Sequence, residues 1–315
     1  MISILISTYN YNCYRLVSDL HRLCEASGTD YEILVGDDCS RDQLSVIANM
    51  KVKELSHCQY LPSTENCGQA CTRNRLALAA SGEHLLFIDC DARVDDEKFI
   101  LRYLQHADDA DVVVGGLTTV TLPTDEIVSR CETADLGRPH SVFVVNRSLR
   151  YRYEHDADLH RSATERNRQP YHSLTCFNLM IRREVFLQVK FCEQCRQYGY
   201  EDVLFGAELQ AQGISIIHID NPLTHLGIDT NQQFLQKTET ALHSLLQLDG
   251  ITSSASRLKH HAERLHSLHL APLAAHAFKL MKPLLRRNLL GSHPSLFVFS
   301  AYKLGYFLCL EREKA

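Results

Sequence analysis

The chain has 315 residues, of which 45% are apolar and 23% are charged, with 38 acidic against 33 basic side chains. The apolar share suffices for a buried core, so the sequence excludes intrinsic disorder, and the length fits one large domain or one domain with an appendage. The net charge of −5 excludes bulk nucleic-acid binding, which requires a dominant positive field.

The first 115 residues alternate short apolar runs with helical patterns. The chain opens on an apolar run without the basic region of a secretory signal peptide, so we expect its 12 cysteines to be free thiols in a reducing cytoplasm. The predicted strands of this part are 2–7, 31–36, 58–61, 84–88 and 111–115. The predicted helices of this part are 16–24, 44–55, 68–80 and 97–105. Apolar strands separated by helices are typical of βαβ units, which predict a parallel sheet.

The middle of the chain, residues 128–171, is rich in charged side chains and lacks this alternation. We expect it to form a mobile, partly helical excursion. Strand patterns return at 173–182 and 214–219. Between them lies a predicted helix at 202–212, which Gly213 ends.

Beyond His225 the sequence is helical throughout. The predicted helical segments are 234–248, 256–270, 273–290 and the strongly apolar stretch 294–310. The last of these is at the lower limit of length for a membrane span, and we interpret it as a buried or a membrane-surface helix. The sequence therefore predicts an α/β domain at 1–226 and a helical extension at 227–315.

Polar residues stand where the predicted strands end. Ligands of open α/β sheets bind beyond the carboxyl ends of the strands. The polar segments are Ser7-Thr8-Tyr9-Asn10, Asp37-Asp38-Cys39-Ser40, Glu65-Asn66-Cys67-Gly68 with Arg73-Asn74, and Asp89-Cys90-Asp91. Each one alone has a structural explanation as a helix cap or a turn. Their recurrence at successive strand ends favours a ligand site.

The Asp89-x-Asp91 pair is the sharpest of these signals. Two carboxylates held close together are costly unless a cation neutralises them, and Mg²⁺ or Mn²⁺ is the natural partner of such hard oxygen ligands. A Gly-rich phosphate loop is absent from the sequence, so a bound phosphate would depend on the metal. A second acidic pair, Glu201-Asp202, opens a predicted helix and could simply cap it. His225 is a candidate third metal ligand only because the aspartates already indicate a cation.

Taken together, these ordered motifs resemble the family 2 glycosyltransferases of the bacterial polysaccharide type. Their order includes Gly199-Tyr200-Glu201-Asp202 and Asn221-Pro222 with His225. The resemblance covers residues 1–226 and implies the GT-A fold, a Rossmann-like, mixed and mostly parallel sheet flanked by helices. It implies an inverting transfer of a sugar from a nucleotide-diphosphate donor, expected to be a UDP-sugar, to a hydroxyl of a glycan or lipid-linked acceptor.

The resemblance also implies a role for each matching residue. Asp202 matches the general base, and Glu201 matches an acceptor-binding acid. The implied ligands of a divalent metal, Mn²⁺ or Mg²⁺, are Asp89, Asp91 and His225. The implied nucleotide-binding residues are Ser7, Tyr9, Asp38, Asn66, Arg73 and Asp89. The sequence departs from the family at Cys39, where a glycine or small residue is usual, and at Cys90 within the Asp-x-Asp.

Two other functions stay open at this point. One is a non-catalytic nucleotide-sugar-binding subunit of a polysaccharide assembly complex, although such a subunit would not need Asp202 and His225. The other is a haloacid-dehalogenase-type phosphatase, although that family places its nucleophile on the first strand, and here two βα units precede Asp89.

The helical extension has two interpretations. The stretch 294–310 could pack on the catalytic domain or on a second subunit through Leu296, Phe299, Lys303, Tyr306 and Leu310, which is the interpretation we prefer. Alternatively, it could lie on the inner face of a membrane beside the basic residues Lys279, Lys282, Arg286 and Arg287. The donor sugar, the acceptor and the oligomeric state are not specified by the sequence.

Overall fold

The computed structural model describes residues 1–119, 128–129, 143–144, 148–159, 162–193, 199–247 and 256–314. The chain divides into two compact units. The first unit comprises Met1–Val120, Asp158–Arg196 and Leu204–Gly227. The second unit comprises Thr121–Ala157, Gln197–Val203 and Ile228–Ala315. The domain boundary predicted after residue 226 stays a prediction.

The strands and helices follow the predicted alternation closely. The strands are β1 Ile2–Thr8, β2 Tyr31–Asp37, β3 Cys58–Pro62, β4 His84–Asp89, β5 Ala92–Arg93, β6 Val112–Val114, β7 Leu117–Thr119, β8 Val128–Ser129, β9 Phe143–Val144, β10 Asn178–Arg182, β11 Ile216–His218 and β12 Leu223–His225. The helices are α1 Tyr14–Ser27, α2 Gln43–Met50, α3 Gln69–Ala79, α4 Phe99–Gln105, α5 Leu149–Leu159, α6 Ala163–Arg166, α7 Arg183–Val189, α8 Glu201–Ala211, α9 Asn231–Gln247, α10 Arg257–Ser267, α11 Ala271–Leu289 and α12 Leu296–Lys314.

The main sheet of the first unit has seven strands in the order β11-β6-β10-β4-β1-β2-β3. Strands β1 to β4 run parallel, and β10 runs antiparallel to both of its neighbours, β4 and β6. Every residue of β1 is buried, as expected for a strand covered on both faces. Ile4 and Ile6 enter the core on one face of the sheet, and Leu5 enters the core on the other.

The strand register brings the predicted polar segments to one edge of this sheet. Ser7 on β1 lies opposite Asp89 on β4 and Gly36 on β2, and Thr8 lies opposite Asp37. Because these strands are parallel, their carboxyl ends meet, as the sequence predicted for a ligand site.

A small three-stranded sheet extends this edge. Strand β12 lies between β5, with which it is antiparallel, and β7, with which it is parallel. This register sets His225 opposite both Ala92 and Thr119. Since Ala92 directly follows Asp91, the small sheet carries the late histidine to the Asp-x-Asp motif.

The second unit is largely helical. Helix α12 packs on α9, α10 and α11 of the same unit. Its buried residues are Phe299, Tyr302, Gly305, Phe307, Leu308, Cys309 and Leu310. The apolar stretch 294–310 is thus a packed helix whose partners are neighbouring helices, and its buried face includes Tyr302 and Gly305 beside the predicted Phe299 and Leu310. Among the described residues, no helix is long and apolar enough to cross a membrane.

Several predicted elements differ from the structure in extent, and two of them differ for a visible structural reason. The helix predicted at 44–55 ends at Met50 and continues as a 3₁₀ turn, Lys51–Glu54. The strand predicted at 173–182 begins only at Asn178, where pairing with β4 starts. Of the excursion predicted at 128–171, the structure describes β8, β9, α5 and α6, whereas 130–142, 145–147 and 160–161 lie outside the described residues, and its mobility stays a prediction.

Candidate functional site

Asp89 ends strand β4 in contact with a buried arginine. Its Oδ1 accepts hydrogen bonds from Arg73 Nη2 at 2.5 Å and from Gln69 Nε2 at 3.0 Å. Arg73 is only 4% exposed, and its guanidinium lies over the ring of Phe191. A buried cation needs such a partner, because an unpaired charge in the protein interior is strongly unfavourable. The Arg73–Asp89 pair therefore fixes the orientation of the first aspartate of the motif.

Asp38 organises the loop that begins helix α3. Its Oδ1 accepts from the backbone N–H of Cys67 at 2.8 Å, and its Oδ2 accepts from that of Gly68 at 2.9 Å. The Asn66 amide donates to the backbone carbonyl of Asp38 at 3.0 Å. Gly68 precedes the helix with a φ of 90°, a conformation that favours glycine. Two predicted nucleotide-binding residues, Asp38 and Asn66, thus shape one loop at the sheet edge.

The loop after β1 is tied to the loop after β2. Asn10 Oδ1 accepts from the backbone N–H groups of Arg41 and Asp42 at 2.7 and 3.0 Å, and the Asn10 N–H donates to Ser40 Oγ at 2.8 Å. Ser7 is buried, whereas Tyr9 is 46% exposed. The tyrosine therefore presents an aromatic face to solvent beside the carboxyl ends of the strands.

Asp91 and His225 come into direct contact. His225 Nε2 lies 3.1 Å from Asp91 Oδ2, although the two residues are 134 positions apart in the chain. The Leu226 N–H also donates to the Asp91 backbone carbonyl at 2.8 Å. His225 is buried with its ring edge-on to Phe177 at 5.4 Å, whereas Asp91 is partly exposed. The pair therefore joins a fixed imidazole to a carboxylate that solvent can reach.

Gly227 makes room for this pair. A Cβ atom at this position would lie 1.9 Å from Asp91 Oδ2 and 2.9 Å from His225 Nε2. The close approach of the backbone to both side chains thus requires glycine, for steric reasons and not for its conformation.

The family resemblance implies a divalent metal, and Asp91 and His225 fit one. A carboxylate oxygen and an imidazole nitrogen are accepted ligands of Mn²⁺, and Mg²⁺ is usually held by one or two carboxylates together with substrate phosphates. The described residues contain no group of three or more Asp, Glu, His or Cys side chains placed to hold a metal. The carboxylate of Asp89, the third predicted ligand, contacts Arg73 and Gln69.

Cys90 lies between the two aspartates of the motif. Burial raises the pKa of its thiol well above the ordinary value, and the nearby Asp91 and Asp89 carboxylates add to the increase. Cys90 is therefore a neutral thiol at physiological pH.

Glu201 and Asp202 form the first turn of α8 and belong to the second unit. Two residues with left-handed backbone precede them, Gly199 with φ 107° and Tyr200 with φ 70°. A Cβ on Gly199 would lie 2.4 Å from that of Ala241, and the Gly199 N–H donates to Glu201 Oε2 at 3.0 Å. Burial raises the pKa of Tyr200 to about 12. The turn is thus tightly constrained, and the roles of Glu201 and Asp202 stay predictions.

A partly buried polar cluster lies at β11, the edge strand of the main sheet. Arg166 Nε donates to His218 Nδ1 at 3.1 Å, and Arg166 Nη2 donates to the Ile219 carbonyl at 2.8 Å. His218 Nε2 lies 2.9 Å from the Pro170 carbonyl, which can only accept, so the proton of the neutral ring resides on Nε2. Burial lowers the pKa of His218 to about 4, against the smaller opposing effect of the Pro170 hydrogen bond.

Two site residues were missed by sequence reasoning. Gln69 binds Asp89, and Gly227 accommodates Asp91 and His225. Each had a signal in its position, since Gln69 directly follows the Asn66-Cys67-Gly68 segment and Gly227 lies two residues after the candidate histidine ligand.

The sequence matches the profile of Glycosyl transferase family 2 over residues 3–189. TuaG of Bacillus subtilis (strain 168), named as a glycosyltransferase of teichuronic acid biosynthesis, is 30% identical over 100 residues, which is 31% of this chain and 38% of that protein. The chondroitin synthase of Pasteurella multocida (strain Pm70) is 26% identical over 244 residues, which is 71% of this chain and 24% of that protein. The chain thus spans well under half the length of each of these relatives.

A solved structure shares the fold. The mannosyltransferase PcManGT from Pyrobaculum calidifontis, in complex with GDP-Man and Mn²⁺, superimposes with a TM-score of 0.54 at 14% identity, over 99% of this chain and 86% of that one. The predicted fold class, a mostly parallel sheet flanked by helices with a C-terminal helical region, is confirmed. The family match includes Asp89 and Asp91, which removes the support for a phosphatase. Since the match covers more than half of the sequence, the chain belongs to glycosyltransferase family 2.

Proposed function

We propose that the protein is an inverting glycosyltransferase that uses a nucleoside diphosphate sugar, specifically a UDP-sugar, as its donor. The observation that carries the proposal is the contact between Asp91 and His225 at the carboxyl edge of the sheet, next to the Arg73–Asp89 pair. The acceptor is a hydroxyl of a glycan or of a lipid-linked saccharide. A polysaccharide product is supported by the names of the two relatives, a glycosyltransferase of teichuronic acid biosynthesis and a chondroitin synthase.

The donor would bind at the loops that follow β1, β2 and β4. Asp91 and His225 would hold Mn²⁺ or Mg²⁺, with Asp89 oriented beside them by Arg73. A bound divalent cation supplies charge neutralisation for the departing diphosphate. The exposed Tyr9 and the loop organised by Asp38, with Asn66, would receive the nucleoside, and the buried Ser7 lies opposite Gly36 and Asp89 in the sheet.

The acceptor would be activated by the acidic pair that opens helix α8. Asp202 would take the proton of the acceptor hydroxyl, and Glu201 would orient the acceptor by accepting a hydrogen bond. A lone pair of the deprotonated acceptor oxygen then forms the new bond to the anomeric carbon, while the bond from that carbon to the diphosphate oxygen breaks. A single displacement of this kind inverts the anomeric configuration.

The remaining alternative is a non-catalytic subunit that binds nucleotide sugars within a polysaccharide assembly complex. It would use the same donor residues and would not require Asp202.

The proposal also places the enzyme in the cytoplasm, in peripheral contact with the inner face of the membrane through its C-terminal helices. The ten cysteines among the described residues are free thiols, which supports a reducing location.

The test combines donor binding with glycosyl transfer on the same variants. Thermal shift with a panel of nucleotide sugars, with and without Mn²⁺, should give stabilisation that requires both the UDP-sugar and the metal. Asp91→Asn should abolish the metal-dependent shift, whereas Asp109→Asn, a change of the same charge at an exposed position, should keep it.

Asp202→Asn should retain the metal-dependent shift but lower the transfer rate about 10²- to 10⁴-fold, the usual contribution of a general base. Glu208→Gln, at an exposed position on the same helix, should transfer normally. Retained transfer by Asp202→Asn would contradict the assigned base. Donor binding without hydrolysis or transfer across an acceptor panel would identify the non-catalytic subunit instead.

A further inference from the structure

Helix α11 in the second unit is apolar on two opposite sides. One side, with Ala271, Ala275, Phe278 and Leu289, is buried. The other side exposes Leu273 by 66%, Leu280 by 70% and Leu284 by 65%, together with Met281. These positions recur at helical spacing, so they form one continuous stripe along the helix. We call this set, Leu273, Leu280, Met281 and Leu284, the α11 stripe.

Further exposed apolar side chains lie in the segments that flank this helix. Of the sixteen large apolar side chains that are exposed among the described residues, eight fall between residues 268 and 297. The members outside the stripe are Leu268, Leu270, Leu290 and Phe297, the last of which is 82% exposed. Scattered exposed leucines are normal on protein surfaces, but a concentration in one short segment marks an interaction surface.

The charge of this segment has a single sign. The 47 residues 264–310 contain no Asp or Glu and six Lys or Arg. Arg286 is engaged with Glu239 at 2.7 Å, and Lys282 lies over the Tyr306 ring. Lys279 and Arg287 are exposed on α11 itself, and Lys279 Nζ is 3.9 Å from Glu313 Oε1 at the edge of this surface. The α11 stripe is therefore flanked by cationic side chains.

We propose that the α11 stripe is a membrane-docking surface that lies in the headgroup region of a bilayer containing anionic phospholipids. Exposed leucines supply apolar contact with the acyl boundary, and the flanking Lys279 and Arg287 supply attraction to anionic headgroups. The inference rests on the membrane contact proposed above for the C-terminal helices, and it is independent of glycosyl transfer.

The charge pattern favours a lipid surface over a second copy of the chain. A two-fold contact through the α11 stripe would bring the same patch of each copy together. Since the segment 264–310 carries only cationic charge, such a contact would place like charges face to face. An anionic surface meets the same bases with favourable charge.

The proposed docking helix is α11, whereas the sequence pattern made the apolar stretch 294–310 the candidate for contact with a membrane. In the structure, α12 buries Phe299, Phe307 and Leu308 within the unit and exposes only Phe297 among its large apolar side chains. The basic residues named from the sequence lie on α11, and it is this helix that leaves leucines exposed.

The test is flotation of the full chain with lipid vesicles, read as the bound fraction without any activity measurement. The wild type should float with vesicles of phosphatidylcholine and phosphatidylglycerol and not with phosphatidylcholine alone. Binding should weaken between about 0.1 M and about 1 M salt, as screening shortens the range of the headgroup attraction. The double variant Leu280→Ser/Leu284→Ser and the double variant Lys279→Gln/Arg287→Gln should each bind the anionic vesicles about tenfold more weakly.

Matched controls lie on the first unit. Leu44→Ser/Ile47→Ser removes two exposed apolar side chains from α2, and Lys51→Gln/Lys98→Gln removes two exposed cations. Both should float like the wild type. All four variants change exposed positions, and unchanged thermal melting would show that they fold. The proposal would be overturned if the wild type did not float, or if the α11 variants floated as well as the wild type. It would also be overturned if the protein bound no lipid and instead formed a dimer that Leu280→Ser/Leu284→Ser dissociates.

Discussion

The carboxylate of Asp38 binds the backbone amide of Gly68 with a hydrogen bond of 2.9 Å, although 30 residues separate the two in the chain. Its other oxygen binds the Cys67 amide, so both oxygens hold the start of helix α3. The family resemblance assigned Asp38 to the nucleotide base. In the structure the same carboxylate also holds the backbone at the start of α3. A structural role predicts that a change of Asp38 lowers stability, whereas a role in base recognition predicts that it alters the choice of nucleotide.

Asp38→Asn should destabilise the protein by about 2 kcal/mol, because the amide nitrogen of asparagine cannot accept and would leave one backbone N–H unsatisfied. Urea unfolding measures this loss, and donor titration should show weaker binding. Glu65→Gln, an exposed change in the same loop, serves as the control. A stability equal to that of the wild type, combined with an altered choice of base, would show that Asp38 contacts only the nucleotide.

Gly227→Ala should disturb the Asp91–His225 pair, because the added Cβ would lie 1.9 Å from Asp91 Oδ2. We expect loss of the Mn²⁺-dependent thermal shift while the fold persists. Gly213→Ala is the matched control, since a Cβ there meets no atom within 4 Å and its only cost is a left-handed φ of 68°, about 1 kcal/mol. If Gly227→Ala kept the Mn²⁺-dependent thermal shift as Gly213→Ala does, the proposal that Asp91 and His225 hold the cation would be wrong.

Cys39→Gly should stabilise the protein by about 1 kcal/mol. Cys39 has a φ of 63°, in the left-handed region that disfavours residues with a Cβ. The family resemblance implies a glycine or a small residue at this position, and the left-handed φ suits glycine. Cys39→Ala keeps the Cβ and should show no such gain in chemical denaturation. The loss of the weak Cys39 Sγ to Thr64 carbonyl contact, at 3.5 Å, is too small to reverse the sign.

His218 should make folding stability depend on pH. The pKa of His218 falls from 6.5 to about 4 in the folded protein, so below pH 6.5 the unfolded chain binds a proton that the folded protein does not bind. The free energy of unfolding should therefore decrease as the pH falls from about 6.5 to about 4 and level off below, by about 3 kcal/mol in total.

His218→Gln removes this titration and should flatten the profile over that range. Gln can still donate to the Pro170 carbonyl, which keeps part of the native hydrogen bonding. His276→Gln, on an exposed part of α11, is the control and should keep the wild-type slope. A steep profile that survives in His218→Gln would assign the pH dependence to other groups.

The strands that carry the site could be predicted because their apolar runs are continuous. Strands β1, β2 and β4 each extend one residue beyond the predicted range, and they end at Thr8, Asp37 and Asp89. Burial on both faces of the sheet requires such runs, so local sequence suffices to locate them. The polar residues that follow could be placed at one edge for the same reason.

The contacts within the site could not be predicted in this way. The Asp91–His225 contact depends on the register of β12 against β5, two short strands without a distinctive pattern. The engagement of Asp89 with Arg73 and Gln69 depends on how helix α3 packs beside β4. The local sequence specifies neither the register nor the helix packing, so these contacts could be read only from the folded structure, and the role of Asp89 as a third metal ligand stays a prediction.

The phenyl ring of Phe278 occupies the space that Gly305 leaves open on helix α12, where a Cβ would lie 2.4 Å from the ring. This notch sets the rotation of α11 about its own axis. Successive residues of a helix are turned by about 100°, so a shift of one residue would replace Leu280 and Leu284 on the outward side by Lys279 and Pro283. Gly305 on the neighbouring helix α12, a residue without a side chain, therefore determines that Leu280 and Leu284 of α11 face outward.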